Sequence, residues 1–83
     1  MNREWVLHNL SEAQGEISTM VAEMQASRHY DYPEFWVTMQ QVYHYLNTAW
    51  NSREATADQV ENATDGDFNR WSQFPADLPM MKI

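Results

Sequence analysis

Hydrophobic residues recur every three or four positions along the first part of the chain, a spacing typical of amphipathic helices. They form one seam of a first helix, which we predict over residues 3–27. Glu4, His8 and Glu12 fall on the opposite side, so we expect that side to face solvent. The seam consists of Val6, Leu10, Ala13, Ile17, Met20 and Met24.

A turn is predicted before Pro33, because the residue preceding a proline is disfavoured in helical conformation while proline suits a first helical turn. Asp31 with Glu34 three residues later has capping-box spacing, and Tyr32 is the alternative cap. We therefore predict a second helix over residues 33–51.

The second helix has a wide apolar arc. One row steps by four and three residues, and an aromatic row repeats every seven residues beside it. The first row is Phe35, Met39, Val42, Leu46 and Ala49, and the second is Trp36, Tyr43 and Trp50. Two such helices joined by a short loop predict an antiparallel helical hairpin.

Smaller and more polar residues follow position 51, and we predict short helices within residues 56–74. Thr56 and Gln59 have capping-box spacing for a helix over about 57–64. Asp67 is predicted to cap a further turn in which Phe68, Trp71 and Phe74 point one way. Prolines make residues 75–83 an extended apolar tail, which we expect to dock on another surface.

The length of 83 residues fits one all-α domain, residues 1–83, with a 43% hydrophobic composition that supports a folded core. A hairpin of this size leaves part of each apolar arc uncovered. We expect a second copy to cover it in a dimeric four-helix bundle, and the alternative is that the C-terminal segment folds back over the aromatic row.

The residues expected at this interface combine the aromatic row with apolar neighbours, because aromatic side chains supply large contact areas. They are Trp36, Met39, Tyr43, Leu46, Trp50 and Trp71. An alternative is that the aromatic row stacks a flat small ligand, which Gln40, Asn47 and Asn51 would orient.

The formal charge is −7, and this sign disfavours direct binding to nucleic acid or to anionic membranes. Cysteine is absent, which excludes disulfides and thiolate chemistry and fits a reducing compartment. No stretch has the length of a membrane span or the pattern of a signal peptide, so we expect a cytoplasmic protein.

Four carboxylates step by four, three and four residues, and they would form one acidic stripe if their segment were helical. They are Glu54, Asp58, Glu61 and Asp65. Such a stripe can attract a basic protein partner or imitate a row of phosphates, although acidic residues also serve solubility.

Candidate catalytic and metal-binding groups are sparse. His8 lies four residues from Glu4 and Glu12, but on the solvated side of its helix rather than in a bundle core. His29 and His44 have no identifiable nucleophile near them in the sequence. Asp65, Asp67 and Asn69 begin like a calcium loop, which then lacks its required glycine and final glutamate.

These observations predict a non-enzymatic protein–protein interaction module that forms a homodimer and needs no cofactor or metal. Two alternatives stay open: an inhibitor that imitates nucleic acid through the acidic stripe, and a binder of small aromatic ligands.

Overall fold

The computed structural model describes all 83 residues and contains four α-helices and no strand. The helices are α1 (Arg3–Ala26), α2 (Tyr32–Asn51), α3 (Ala57–Glu61) and α4 (Asp65–Trp71). The first two pack against each other as an antiparallel hairpin, and α4 packs on α2. The predicted all-α fold and the helical hairpin are confirmed.

Local capping signals explain where the helices begin. Asp31 and Glu34 form the capping box of α2, so Tyr32 is the first helical residue and not the cap. Thr56 and Gln59 form the capping box of α3, as predicted.

The beginning of α4 differs from the prediction that Asp67 caps it. Thr64 is the N-cap, and Asp67 completes its capping box from the third helical position. Because this cap comes three residues earlier, α3 ends at Glu61 and not at residue 64.

The contact between α1 and α2 is narrow. Its buried residues include Ala13 and Met20 of α1 and Val42 and Ala49 of α2. The small Ala side chains allow the two helices to approach closely. The predicted seam of α1 is therefore only partly buried, because Leu10, Ile17 and Met24 lie to one side of this contact.

Aromatic packing closes the end of the hairpin where the start of α1 meets the end of α2, which we call the open end. Trp71 is 8% exposed, and its ring packs edge-on against Trp5 at a centroid distance of 6.4 Å. The Trp5 indole donates a hydrogen bond of 2.8 Å to Ser52 Oγ. At the loop end, residues 27–31 join the two helices, and Tyr30 is the only one of them that is half-buried.

The chain beyond α4 returns along α2 and then leaves it. Phe74 packs against Tyr43 at a centroid distance of 5.2 Å, and Asp77 accepts a hydrogen bond from Trp50. The following residues form no helix, and their apolar side chains are exposed. None of the four helices combines the length and apolar character needed to cross a bilayer.

Candidate functional site

One side of the hairpin carries large apolar side chains that are only partly buried. On α1, Leu10, Ile17, Val21 and Met24 are 42%, 40%, 46% and 53% exposed. Leu46 of α2 lines the same cleft of about 420 Å³ as Leu10 and Ile17, so the two rows share one side. We call this surface the bare hairpin face. It consists of Leu10, Ile17, Val21, Met24, Phe35 and Leu46.

The helical spacing that creates this face also keeps charge away from it. Phe35 and Leu46 are eleven residues apart, which is three helical turns, so they lie in one row on α2. Along α1 the positions between the apolar residues on this side are uncharged, for example Gln14 and Ser18. Glu12 and Glu23 lie on other sides of α1. The bare hairpin face is therefore apolar and without carboxylates along both helices.

A second uncovered surface begins beside it on α2. It is a cleft of about 500 Å³, and we call it the aromatic cleft. Its apolar lining consists of Tyr32, Phe35, Trp36, Met39, Tyr43 and Phe74. Trp36 is 55% exposed and Phe74 is 70% exposed, although Phe74 touches Tyr43. Rigid aromatic side chains of this kind are the residues that most often dominate binding energy at protein interfaces.

The residues predicted for the interface fall into three environments. Trp36, Met39 and Tyr43 line the aromatic cleft, and Leu46 lies on the bare hairpin face. Trp71 belongs to the core of its own chain, so we do not include it in either surface.

Trp50 has partners within its own chain. Its indole donates a hydrogen bond of 2.9 Å to Asp77 Oδ1, and the Arg53 guanidinium lies 4.0 Å from the centre of its ring. The arginine also pairs with Asp77 at 3.5 Å. The C-terminal segment thus covers part of the predicted aromatic row, as the fold-back alternative supposed, and leaves Trp36 exposed.

Two asparagines of α2 have a role that the sequence analysis missed. Asn47 Nδ2 donates a hydrogen bond to the carbonyl of Ser72 at 2.9 Å. Asn51 Nδ2 donates to the carbonyls of Trp71 at 2.8 Å and Gln73 at 2.6 Å. These amides satisfy carbonyls at the end of α4 that have no acceptor role within a helix. Their Nδ2 groups are therefore engaged in holding the end of α4 against α2.

The sequence contained a signal for this role. Asparagine is a poor helix former, so two asparagines four residues apart inside a long helix indicate a tertiary hydrogen-bonding function. The third amide considered for ligand binding, Gln40, makes only a 3.4 Å contact with the carbonyl of Trp36.

The single helical stripe predicted for the four acidic residues is not formed. Residues 62–64 interrupt the helix, so Asp58 and Glu61 lie on α3 while Asp65 begins α4. Glu54 and Asp58 line a polar cleft of about 810 Å³ that also contains Arg53 and Arg70. The two arginines make this cleft a surface of mixed charge.

Two carboxyl groups around this cleft have a depressed pKa. The backbone N–H of Thr64 and the Arg70 side chain donate to Asp67 and lower its pKa. The Trp50 indole, with help from Arg53, lowers the pKa of Asp77. Both shifts follow from hydrogen bonds that stabilise the ionised carboxylate, and both pairs support the local fold.

The three histidines lie apart from each other. His8 stacks on Trp5 with a centroid distance of 5.6 Å, and His44 packs edge-on against Tyr45 at 5.2 Å. The backbone N–H of His29 donates to Ser27 Oγ in the exposed loop. No group of three or more histidine and carboxylate side chains is placed to hold a metal ion.

Compared with protein-family models, with curated proteins and with solved structures, the chain shows no match. The chemistry of the surfaces described above is therefore the basis for a functional proposal.

Proposed function

We propose that the protein is a non-enzymatic protein–protein interaction module, and that it assembles with a second copy of itself through the bare hairpin face. The observation that carries the proposal is this uncharged apolar face along both long helices. Two hairpins joined by a two-fold axis would form a four-helix bundle, which is a common arrangement for short helical chains.

Surface area supports a partner on this face. The chain exposes 6609 Å², whereas a compact monomer of its mass exposes about 5,200 Å². The chain therefore exposes about 1,400 Å² more than a compact monomer. The extended tail accounts for part of this excess area, and exposed residues of the two long helices account for another part. Each partner in a standard-size interface buries about 800 Å², so the excess is large enough for a stable dimer.

The dimensions of the chain also support a partner on this face. The radius of gyration is 14.7 Å, whereas about 12 Å is typical of a compact domain of this length. The shortest extent of the chain is 22 Å, so the fold is thin in one direction.

Charge does not oppose contact between two copies of the chain on this face. The chain carries a net charge of −7, so two copies repel each other wherever their carboxylates approach. The bare hairpin face keeps those carboxylates on other sides of the helices. Apolar burial on this face is therefore not opposed by like charges in direct contact.

Sedimentation equilibrium tests the proposal. The wild-type chain should be dimeric at micromolar concentrations, and Ile17→Glu should raise the dimer dissociation constant by about a hundredfold or more, because the variant buries a carboxylate without a partner. Ala22→Glu adds the same charge to α1 on the opposite side, so this control should remain dimeric.

Circular dichroism should show native helix content in both variants. A wild-type chain that stays monomeric at high micromolar concentration, or an equal effect of the two substitutions, would contradict the proposal.

A further inference from the structure

The tail that follows Asp77 is apolar and leaves the fold at the open end. Its side chains Leu78, Met80, Met81 and Ile83 are all exposed, the last three almost completely. A segment with four large apolar residues in six positions gains free energy by docking on an apolar surface.

The aromatic cleft is an unfilled apolar surface of matching character. Phe74 already lines the end of the cleft near Tyr43, but the other end, at Tyr32 and Trp36, is poorly placed for residues 78–83 of the same chain. Trp36 and Trp50 are fourteen residues apart on α2, which is about 21 Å of helix. Phe74 contacts Tyr43, and Asp77 contacts Trp50, which lies further along α2. The segment between them therefore runs away from Trp36. Residues 78–83 span at most about 20–22 Å when fully extended. They would have to reverse direction at once and would barely reach Trp36.

A second copy brings its tail to the cleft in one of the two possible orientations. Residues 51–77 at the open end carry six carboxylates and two arginines. A dimer with both open ends side by side would place these acidic regions together, whereas an antiparallel dimer separates them along the hairpin. In the antiparallel arrangement the open end of one copy lies beside the loop end of the other, where Tyr32, Phe35 and Trp36 are located.

We propose that the tail of each copy, residues 78–83, occupies the aromatic cleft of the other copy in an antiparallel dimer; this inference rests on the dimer proposed above. The exchange is reciprocal, so it closes on itself and builds no filament. Lys82 is the only lysine of the chain, and Asp31 and Glu34 lie beside the cleft residues at the start of α2. The Lys82 ammonium therefore complements the two carboxylates at the border of the cleft.

Disulfide trapping tests this arrangement in the full-length chain, which has no cysteine of its own. Two single variants are mixed under oxidising conditions: Gln40→Cys, in the lining of the cleft, and Met81→Cys, in the tail. We expect the mixed disulfide to form at least tenfold faster than in the control mixture of Glu12→Cys with Met81→Cys. A chain that ends after Asp77 should also show a dimer dissociation constant raised about tenfold or more.

The possible outcomes separate the two proposals. If the wild-type chain is dimeric while the cleft mixture cross-links no faster than the control mixture, the tail exchange is wrong and the dimer stands. If the wild-type chain sediments as a monomer, the dimer itself is wrong. If a chain carrying both Gln40→Cys and Met81→Cys closes an internal disulfide at nanomolar concentration as fast as the mixture cross-links, the tail occupies its own cleft and a second copy is not the partner.

Discussion

The open end and the rest of the hairpin are built from the same two helices but solve the problem of burial differently. At the open end, α4 covers the hairpin with Trp71, and asparagines of α2 bind the carbonyls that follow it. Along the bare hairpin face, Ile17 and Leu46 stay 40% and 36% exposed, because no further segment of the chain packs over them. The C-terminal segment therefore completes the core at the open end only, and the bare hairpin face stays partly exposed.

The two regions should differ most in how much the free energy of unfolding falls when one tryptophan is replaced in each. Trp71→Ala should lower the free energy of unfolding by about 3–5 kcal/mol, because it removes a buried ring from a small core. Trp36→Ala should change it by less than about 1 kcal/mol, because that ring is more than half exposed. Urea unfolding followed by circular dichroism measures both, in the Ile17→Glu background so that association does not contribute. Equal losses would show that the two regions are packed alike.

Asparagine substitutions should repeat this difference on a smaller scale. Asn51→Ala leaves the carbonyls of Trp71 and Gln73 without their donor, and should cost about 1–3 kcal/mol. Gln40→Ala removes a similar amide whose only hydrogen-bond contact is long. This substitution should lower the free energy of unfolding by at most a few tenths of a kcal/mol. The same urea experiment applies. A loss for Gln40→Ala that matches the loss for Asn51→Ala would remove the distinction.

Gly15 allows the hairpin to be strengthened away from both regions. A Cβ atom at this position would meet nothing within 4 Å, so Gly15→Ala should stabilise the chain by about 0.5–1 kcal/mol through helix propensity alone. Thermal unfolding should show a higher midpoint with an unchanged dimer dissociation constant. A lower midpoint would mean that another molecule or segment packs closely against this glycine.

The smallest expected effect is a local response to acid at the open end. The Trp50 indole lowers the pKa of Asp77 below its ordinary value of 3.8, so the contact is strongest above about pH 4 and weakens as pH falls through the depressed value. The indole N–H signal of Trp50 in NMR spectra should shift over this range. Asp77→Asn keeps an acceptor that does not titrate, and its Trp50 signal should stay constant. A wild-type signal that does not move would contradict the assignment.

The sequence predicted those structural features, such as helix bounds, that depend on residues close to each other along the chain. The bounds of the two long helices follow from apolar spacing and from the Asp31 capping box, and all of these act within one or two turns. The start of α4 was misassigned because Thr64 and Asp67 are both good caps, and only the structure shows which backbone N–H groups each one accepts.

Features that depend on contacts distant in sequence were harder to predict. The apolar spacing of α1 does not state which side of the arc contacts α2, so Leu10 and Ile17 were expected in the same seam as Ala13. The aromatic row of α2 was identified, yet Trp50 and Tyr43 gained partners from the C-terminal segment. The candidate surfaces are the apolar areas that such long-range contacts leave exposed. The periodicity of the sequence does not predict which contacts form.

The hydrogen bonds from Asn47 and Asn51 make α4 a dependent unit of the fold. A helix of seven residues is too short to persist alone in water, and here its final carbonyls rely on donors that belong to another helix. Transient opening of α4 would therefore release all of these bonds together and unmask Trp5, so amide hydrogens of this segment should exchange with solvent as one cooperative group.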